Sequence, residues 1–369
     1  MQITNDYILK QMFSVVKKQG EQLWEVEKKD VNLFQIKQKF PSWLQKLLFS
    51  SYNPVYSIWK FRKVENTYKN SSRHRFCIDF LGYCYSHDFC FDIEEYYDED
   101  SIKDVENFIN SRIENFLGIR NLKMSQSEYN KIKKQEQKLH KRIKYKEGFY
   151  QYKNDTNTYY LPLKKFDYNV FIAKYGINKL PSHVIETVKG SVCIDVGAYI
   201  GDTCLLLQEY LPKEICAYEP VNRDYQYLLK TIEKNGLTNI VTPVKKGLGN
   251  EKMYEEISVS GFSSSIISDF HGSEAIETIE ITTIDDEFQN KKVGLIKMDV
   301  EGFEYNVILG ALDVIKRDKP IILISIYHTG KDFFEIVPLL KKCCPEYKFK
   351  YIDTYPISAI TEKIVIAYI

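Results

Sequence analysis

The second half of this chain predicts an α/β fold built on a mostly parallel sheet, and three observations carry that prediction. From residue 192 onward, short apolar runs alternate with helix-patterned segments, as parallel strands joined by crossover helices do. The first run opens the stretch SVCIDVGAYIGDT (191–203), in which an apolar strand meets a glycine turn and then a helix start, the layout of a nucleotide-type site. The last two strands, over 347–353 and 363–368, have no helix between them, so the sheet closes with a hairpin-like pair at one edge.

The first 147 residues read as a helical α+β extension. Asn5 or Asp6 caps a helix running to Lys18, with Tyr7, Met12, Phe13 and Val16 as its apolar stripe. A second helical stretch over 31–49 is broken at Pro41. Aromatic and branched residues predict strands over 58–61 and 75–80, and a loosely alternating one over 84–93. Helices follow over 101–116 and 127–146. Cys77, Cys84, His87 and Cys90 are zinc-ligand types. They lack the paired close spacing of a structural zinc site, and a packed strand is the preferred reading. The basic run 131–146 has Gln135, Glu136 and Gln137 among its lysines, which marks a solvated helix face rather than a nucleic-acid patch.

Residues 148–369 form the expected core domain. A polar turn at 154–157 joins hairpin strands over 149–153 and 158–161. A helix over 166–175 stops at Gly176, and another over 183–188 follows Pro181. Strands are then expected over 192–195, 215–218, 239–244, 294–298 and 321–327. Helices are expected over 203–210, from a cap at Asn222 to 235, and over 304–315 and 332–342. The stretch 247–283 reads as irregular, with antiparallel strands.

Composition narrows the function. The 51 Lys and Arg against 50 Asp and Glu give no global attraction to nucleic acid or anionic membrane. The 44% hydrophobic content supports a sizeable core. Eight cysteines spread along the chain, two of them (Cys193 and Cys216) inside predicted strands, point to reduced thiols rather than a disulfide framework. There is no signal-peptide pattern at the N-terminus and no apolar run of bilayer-spanning length, so a cytoplasmic location is expected. The sequence leaves the oligomeric state open, a homo-oligomer included.

In an open α/β sheet, ligands bind at the carboxyl ends of the strands. Four predicted strands end there on ionisable groups: Asp195, Glu219, Asp299 and His328. The turn Gly197-Ala198-Tyr199-Ile200-Gly201 lacks the middle glycine of a dinucleotide fingerprint, and Asp195 would repel a pyrophosphate. A carboxylate there suits a cationic group instead. Glu219 lies about 20 residues past the turn, where an acid accepts hydrogen bonds from ribose hydroxyls. Asp299, Glu301 and Glu304 crowd into six residues and need a cation, a shared proton or water. Lys297, on the same side of its strand as Asp299, is expected in a structural pairing with an acid. Glu304 fits a helix N-terminus. His328 is open between general base, orienting donor and helix-flanking residue.

These residues resemble a known family. The turn Asp195-x-Gly197-x-x-x-Gly201-Asp202-Thr203, the strand end Tyr218-Glu219-Pro220, the run Thr283-Ile284-Asp285-Asp286 and above all Ile296-Lys297-Met298-Asp299-Val300-Glu301-Gly302-Phe303-Glu304 look like the FkbM family of S-adenosylmethionine-dependent methyltransferases. The resemblance covers about residues 150–369 and implies a class I methyltransferase fold, a Rossmann-like sheet with an antiparallel edge strand. It places Asp195, Gly197, Ala198, Tyr199 and Gly201, with Asp202 and Thr203 in the same turn, around the cofactor's methionine moiety. Glu219 and Pro220 would sit at the ribose and Asn222 beside the adenosine.

The implied acceptor is a hydroxyl of a sugar or glycan, for example a surface polysaccharide or its precursor. Asp299 or His328, with Glu301 beside them, would remove its proton. A divalent metal on Asp299 and Glu301 is an alternative to a protein base. The competing readings are a Rossmann-type oxidoreductase and a non-catalytic interaction protein on a methyltransferase core.

Overall fold

The computed structural model describes residues 1–24, 72–116, 124–259, 264–265 and 275–369. The helix expected over 31–49 and the strand expected over 58–61 lie outside them. In chain order, β1 (Gln2–Thr4) leads into the helix Asn5–Trp24. The helix Ser72–Ser86 precedes β2 (Cys90–Asp92), which pairs antiparallel with β1. Helices Ile93–Tyr96, Glu99–Phe116 and Gln126–Lys141 come next. The strands β3 (Ile143–Lys146), β4 (Phe149–Lys153) and β5 (Thr158–Leu161) form a small antiparallel meander.

Then come β6 (Val192–Val196), β7 (Glu214–Tyr218) and β8 (Val241–Val244), separated by the helices Asp202–Leu207 and Asn222–Lys234. A side sheet follows, made of β9 (Gly247–Leu248), β10 (Met253–Val259), β11 (Ser264–Ser265) and β12 (Ala275–Thr282). The chain returns through β13 (Val293–Met298) and β14 (Ile321–Ser325) and ends in β15 (Lys348–Asp353) and β16 (Lys363–Tyr368).

The central sheet runs β15-β16-β14-β13-β6-β7-β8. Its five strands from β14 to β8 pair in parallel, and β16 runs antiparallel to both of its neighbours. Alternation along each strand sends its residues to two different cores. Ile194, Val196, Ile296, Met298, Ile322 and Ile324 face one, and Cys193, Ala217, Leu295, Leu323, Ile364 and Ile366 face the other.

The first core extends into the N-terminal segment without a break. Phe80, Phe91 and Phe108 pack around Phe333 and Phe334 of the helix Gly330–Cys343, with Phe108 and Phe333 ring centroids 5.1 Å apart. Tyr97 bridges to Phe349 at the sheet edge. The hydrophobic core therefore crosses the boundary expected at residue 147.

Several elements differ from expectation. Residues 75–80 are helical, not a strand. Buried Cys77, Phe80, Leu81 and Cys84 recur at i, i+3, i+4 and i+7, a helical face that the aromatic and branched content obscured. On that helix Cys77 and Cys84 are packed thiols, Cys90 is exposed and the His87 ring stacks on Tyr83, so they form no ligand cluster. The helix expected over 127–146 starts on a Ser125–Glu128 capping box and stops at Lys141, where 143–146 becomes β3. The helix expected over 304–315 is two, Glu304–Leu309 and Leu312–Asp318, interrupted where Gly310 meets the backbone of Gly249. The segment 166–175 holds only the short helix Tyr168–Phe171 before a kinked turn over Lys174–Lys179.

If one core unites the N-terminal segment with the sheet, Phe333→Ala lowers global stability by about 3–5 kcal/mol. A single cooperative urea transition moved to lower denaturant is the expected result. Separate transitions for the two parts would contradict a shared core.

Candidate active site

The site is built on the junction between β6 and β13. Register places Lys297 directly beside Asp195, both on the same face of the sheet. Both side chains are buried, and Lys297 Nζ lies 3.1 Å from Asp195 Oδ1. It also donates to the Gly197 carbonyl at 2.9 Å. Burial pulls this ammonium toward neutrality, but Asp195, Asp299 and Asp202 outweigh it and raise its pKa. The expected Lys297–acid pairing is therefore present, and its partner is Asp195.

Beyond β6 the chain turns through Gly197, whose φ is +74°. A Cβ there would overlap the Asp299 carbonyl oxygen, so only glycine lets the turn lie against the end of β13. Ala198 is buried behind the turn, and Gly201 N–H donates to its carbonyl. Tyr199 adopts φ +48°. That conformation aims its N–H at Glu219 Oε2 at 2.9 Å, while Val221 N–H donates to Glu219 Oε1 at the same distance. Burial pushes the Glu219 carboxyl up to about 8, against the pull of these backbone N–H groups. Burial and the nearby Asp167 carboxylate push Asp202 up to about 7.

On the β13 side the chain bends through Glu301 at φ +56° and Gly302 at φ +102°. Glu304, at the start of its helix, is fully buried and organises this bend. It accepts from Val300 N–H and Gly302 N–H, each at 2.9 Å, and meets His328 Nδ1 at 2.9 Å. His328 is 1% exposed, and its Nε2 lies 3.6 Å from Asp299 Oδ1 and 3.6 Å from Glu301 Oε2. Burial alone would lower its pKa, but the carboxylates of Glu304, Glu301 and Asp299 push it up to about 10. The imidazolium is thus the cation that three crowded carboxylates require. Tyr175 hydroxyl donates to Asp299 Oδ2 at 3.3 Å from the opposite side. Burial raises Glu301 to about 7.

These groups open into a cleft of about 300 Å³ at the carboxyl ends of the strands. Of the residues singled out from sequence, Gly197, Tyr199, Asp202, Thr203, Glu219, Pro220, Asp299 and Glu301 line it. Asp195, Ala198, Gly201 and His328 stand behind the lining. Asn222 is outside it, its side chain accepting from Lys245 Nζ at 2.8 Å.

The cleft also takes residues that sequence reasoning missed, among them Tyr175, Asp167, Asn169, Phe303 and Glu362. Glu362 sits at φ +62° in the connection before β16, with Asn169 Nδ2 donating to it at 2.6 Å. Burial and Asp299 push it up to about 7. No local motif marks it.

Asp299, Glu304 and His328 are grouped closely enough to be metal ligands. Both Glu304 oxygens already accept backbone N–H groups, and His328 Nδ1 is engaged with Glu304, so the donor set fits a buried hydrogen-bond network better than an ion site.

A sheet of this strand order, with one reversed strand and a glycine turn at the end of β6, is the class I S-adenosylmethionine-dependent methyltransferase fold. Residues 195–351 match the family model for the methyltransferase FkbM domain. A methyltransferase FkbM from Methylobacillus flagellatus KT is similar at 16% identity and TM-score 0.48, the match covering 85% of this chain and 64% of that one. The Pyrococcus abyssi tRNA (uracil-54, C5)-methyltransferase, solved with S-adenosyl-L-homocysteine, matches at 14% identity and TM-score 0.36, over 61% of this chain and 45% of that one. M. jannaschii TYW2, solved with AdoMet, matches at 16% identity and TM-score 0.34, over 61% and 86%. No curated protein sequence matches the chain. Among the described residues, no helix is long and apolar enough to cross a membrane.

Because His328 has a folded pKa near 10 against about 6.5 when unfolded, its contribution to stability is complete below about pH 6.5 and is lost as pH rises toward 10. Wild-type stability therefore falls between pH 7 and 10 more steeply than that of His328→Gln. Parallel slopes in urea titrations of the two proteins would show that His328 is neutral in the fold.

Proposed function

We propose that this protein is an S-adenosylmethionine-dependent O-methyltransferase acting on a hydroxyl of a sugar or glycan, such as a surface polysaccharide or its precursor. The observation that supports it most is one cleft bounded by buried Glu219 on one side and by the partly exposed Asp299, backed by His328, on the other.

The lining suits the cofactor chemically. Carboxylates outnumber lysines there (Asp167, Asp202, Glu219, Asp224, Asp299, Glu301 and Glu362 against Lys165, Lys246 and Lys297), which favours a cationic ligand. Glu219 has lone pairs for ribose hydroxyls, and Leu248, Ile257, Ile279 and Phe303 offer apolar surface to a flat base. Gly197, Tyr199, Asp202, Thr203 and Pro220 complete the wall, while Asp195, Ala198 and Gly201 shape the turn from behind. When bound, S-adenosylmethionine supplies a methyl group on positively charged sulfur, open to attack by oxygen.

This chain's residues then position the acceptor and remove its proton. Asp299 accepts the proton of the acceptor hydroxyl. Tyr175 and the His328 imidazolium hold its carboxylate from either side, and Glu301 stands next to it. His328, charged up to about pH 10, serves better as this clamp than as the base. The same acid-rich lining disfavours a polyphosphate backbone and favours a neutral, polyhydroxylated acceptor.

Calorimetry of wild type should show S-adenosylmethionine binding; its absence would favour the non-catalytic alternative. Asp299→Asn should bind the cofactor within about threefold of wild type and lose at least about 100-fold in turnover. Near-normal turnover would remove Asp299 as base. Glu219→Gln should weaken cofactor binding by about tenfold. Mass spectrometry of cell-surface glycans with and without the gene should show loss of one O-methyl group; loss of a methyl from RNA instead would redirect the acceptor.

A further inference from the structure

His328 works only if its ring is aimed, and the turn that aims it is held from outside the family-matched residues 195–351. We infer that Arg112, with Asp79, is a positioning residue for the His328 turn, so that the segment 72–116 is part of the active-site machinery; this rests on the reading of His328 as the clamp on Asp299.

Arg112 is 1% exposed and lies on the helix Glu99–Phe116. Its Nη2 donates to the carbonyl of Tyr327. That carbonyl belongs to the peptide joining Tyr327 to His328, so fixing its plane fixes the backbone from which the imidazole projects. Asp79 Oδ1 accepts the N–H of Gly330 at 2.8 Å, on the other side of His328. The turn is therefore held at both ends by side chains of the N-terminal segment.

Further contacts close this grip. The Phe76 ring meets the Tyr327 ring edge-on at 6.0 Å and the His328 ring at 5.7 Å. Gly330 has no room for a Cβ, because Tyr83 and the Phe80 backbone press against it. On the sheet side, Ile326 N–H donates to the Lys363 carbonyl at 3.1 Å.

The character of Arg112 argues against a filler role. A guanidinium in a fully buried place is costly where leucine would pack. Here the rings of Phe108, Phe80 and Phe76 surround it at 4.6, 5.7 and 5.8 Å from their centroids. Such a ring cage stabilises the cation. The backbone carbonyl it reaches is the one adjoining His328.

The test is nuclear magnetic resonance of the full chain with ¹⁵N-labelled histidine. The His328 Nδ1–H held by Glu304 should give a solvent-protected imidazolium signal, absent in His328→Gln. In Arg112→Met, with unchanged circular dichroism, that signal should vanish or exchange at least about tenfold faster. Binding of S-adenosyl-L-homocysteine should stay within about threefold of wild type. Arg112→Lys should restore part of the protection. A folded Arg112→Met with wild-type exchange would overturn the inference. If Arg112→Met does not fold, Asp79→Ala decides in the same way, with Asp79→Asn expected to retain protection. A wild-type spectrum with no protected histidine signal would instead defeat the underlying His328–Glu304 reading.

Discussion

The buried ammonium of Lys297 is the constraint on which the cleft depends. It sits between the neighbouring strands β13 and β6 near the centre of the sheet, paired with Asp195 and hydrogen-bonded to the Gly197 carbonyl. One side chain thereby ties β13 to β6 and pins the first residue of the glycine turn. With Gly197 pinned, the turn can lie against the Asp299 carbonyl, and the two sides of the cleft, at the ends of β6 and β13, meet at a fixed separation. Buried ion pairs rarely add much net stability, because desolvation offsets attraction. What this pair supplies is placement.

From that fixed point outward, the site is governed by how many negative charges can share a small space. Asp299, Glu301 and Glu304 are tolerated together because His328 is drawn into the charged form between them. Farther out, Asp202, Glu219 and Glu362 are pushed toward neutrality by burial. Such a cleft is primed for positive charge: a cation entering it strengthens the ionised form of each acid it approaches. Tyr175, Tyr199, Glu301 and Glu362 all carry left-handed backbone without being glycine. Conformations of that kind persist only where the surroundings over-determine them, and four of the eight non-glycine ones among the described residues line this cleft.

Much of this was legible in the sequence, for identifiable reasons. Parallel strands buried on both faces read as continuous apolar runs, and their carboxyl ends stand out because an acid or histidine interrupts the run, as at Asp195, Glu219, Asp299 and His328. Lys297 was conspicuous as an ammonium in an apolar strand. Other features left no such mark. Glu362 and Tyr175 reach the cleft from connections whose paths are set by packing, so neither falls on a periodic pattern. The helix over residues 75–80 was hidden because aromatic and branched residues suit a strand as well, and the i, i+3, i+4, i+7 spacing that decides the matter runs past that window. Likewise the run Thr283-Ile284-Asp285-Asp286, part of the family resemblance, is structural: Thr283 caps its own short helix, and Asp285 accepts backbone N–H groups at the start of the helix Leu312–Asp318.

The placement of β16 has a consequence for how the chain is made. It lies between β14 and β15 although it follows both in sequence. During synthesis from the N-terminus, β15 leaves the ribosome with no strand to pair with, and β14 presents an open edge beside it. Unpaired edges of this kind invite association with other chains. The sheet closes only when residues 363–368 slide into the gap, carrying the Lys363 carbonyl that receives Ile326 N–H and delivering the neighbouring Glu362 to the cleft. The candidate cleft is therefore complete only once this last strand is in place, and a nascent chain stalled before it would still expose the edges of β14 and β15.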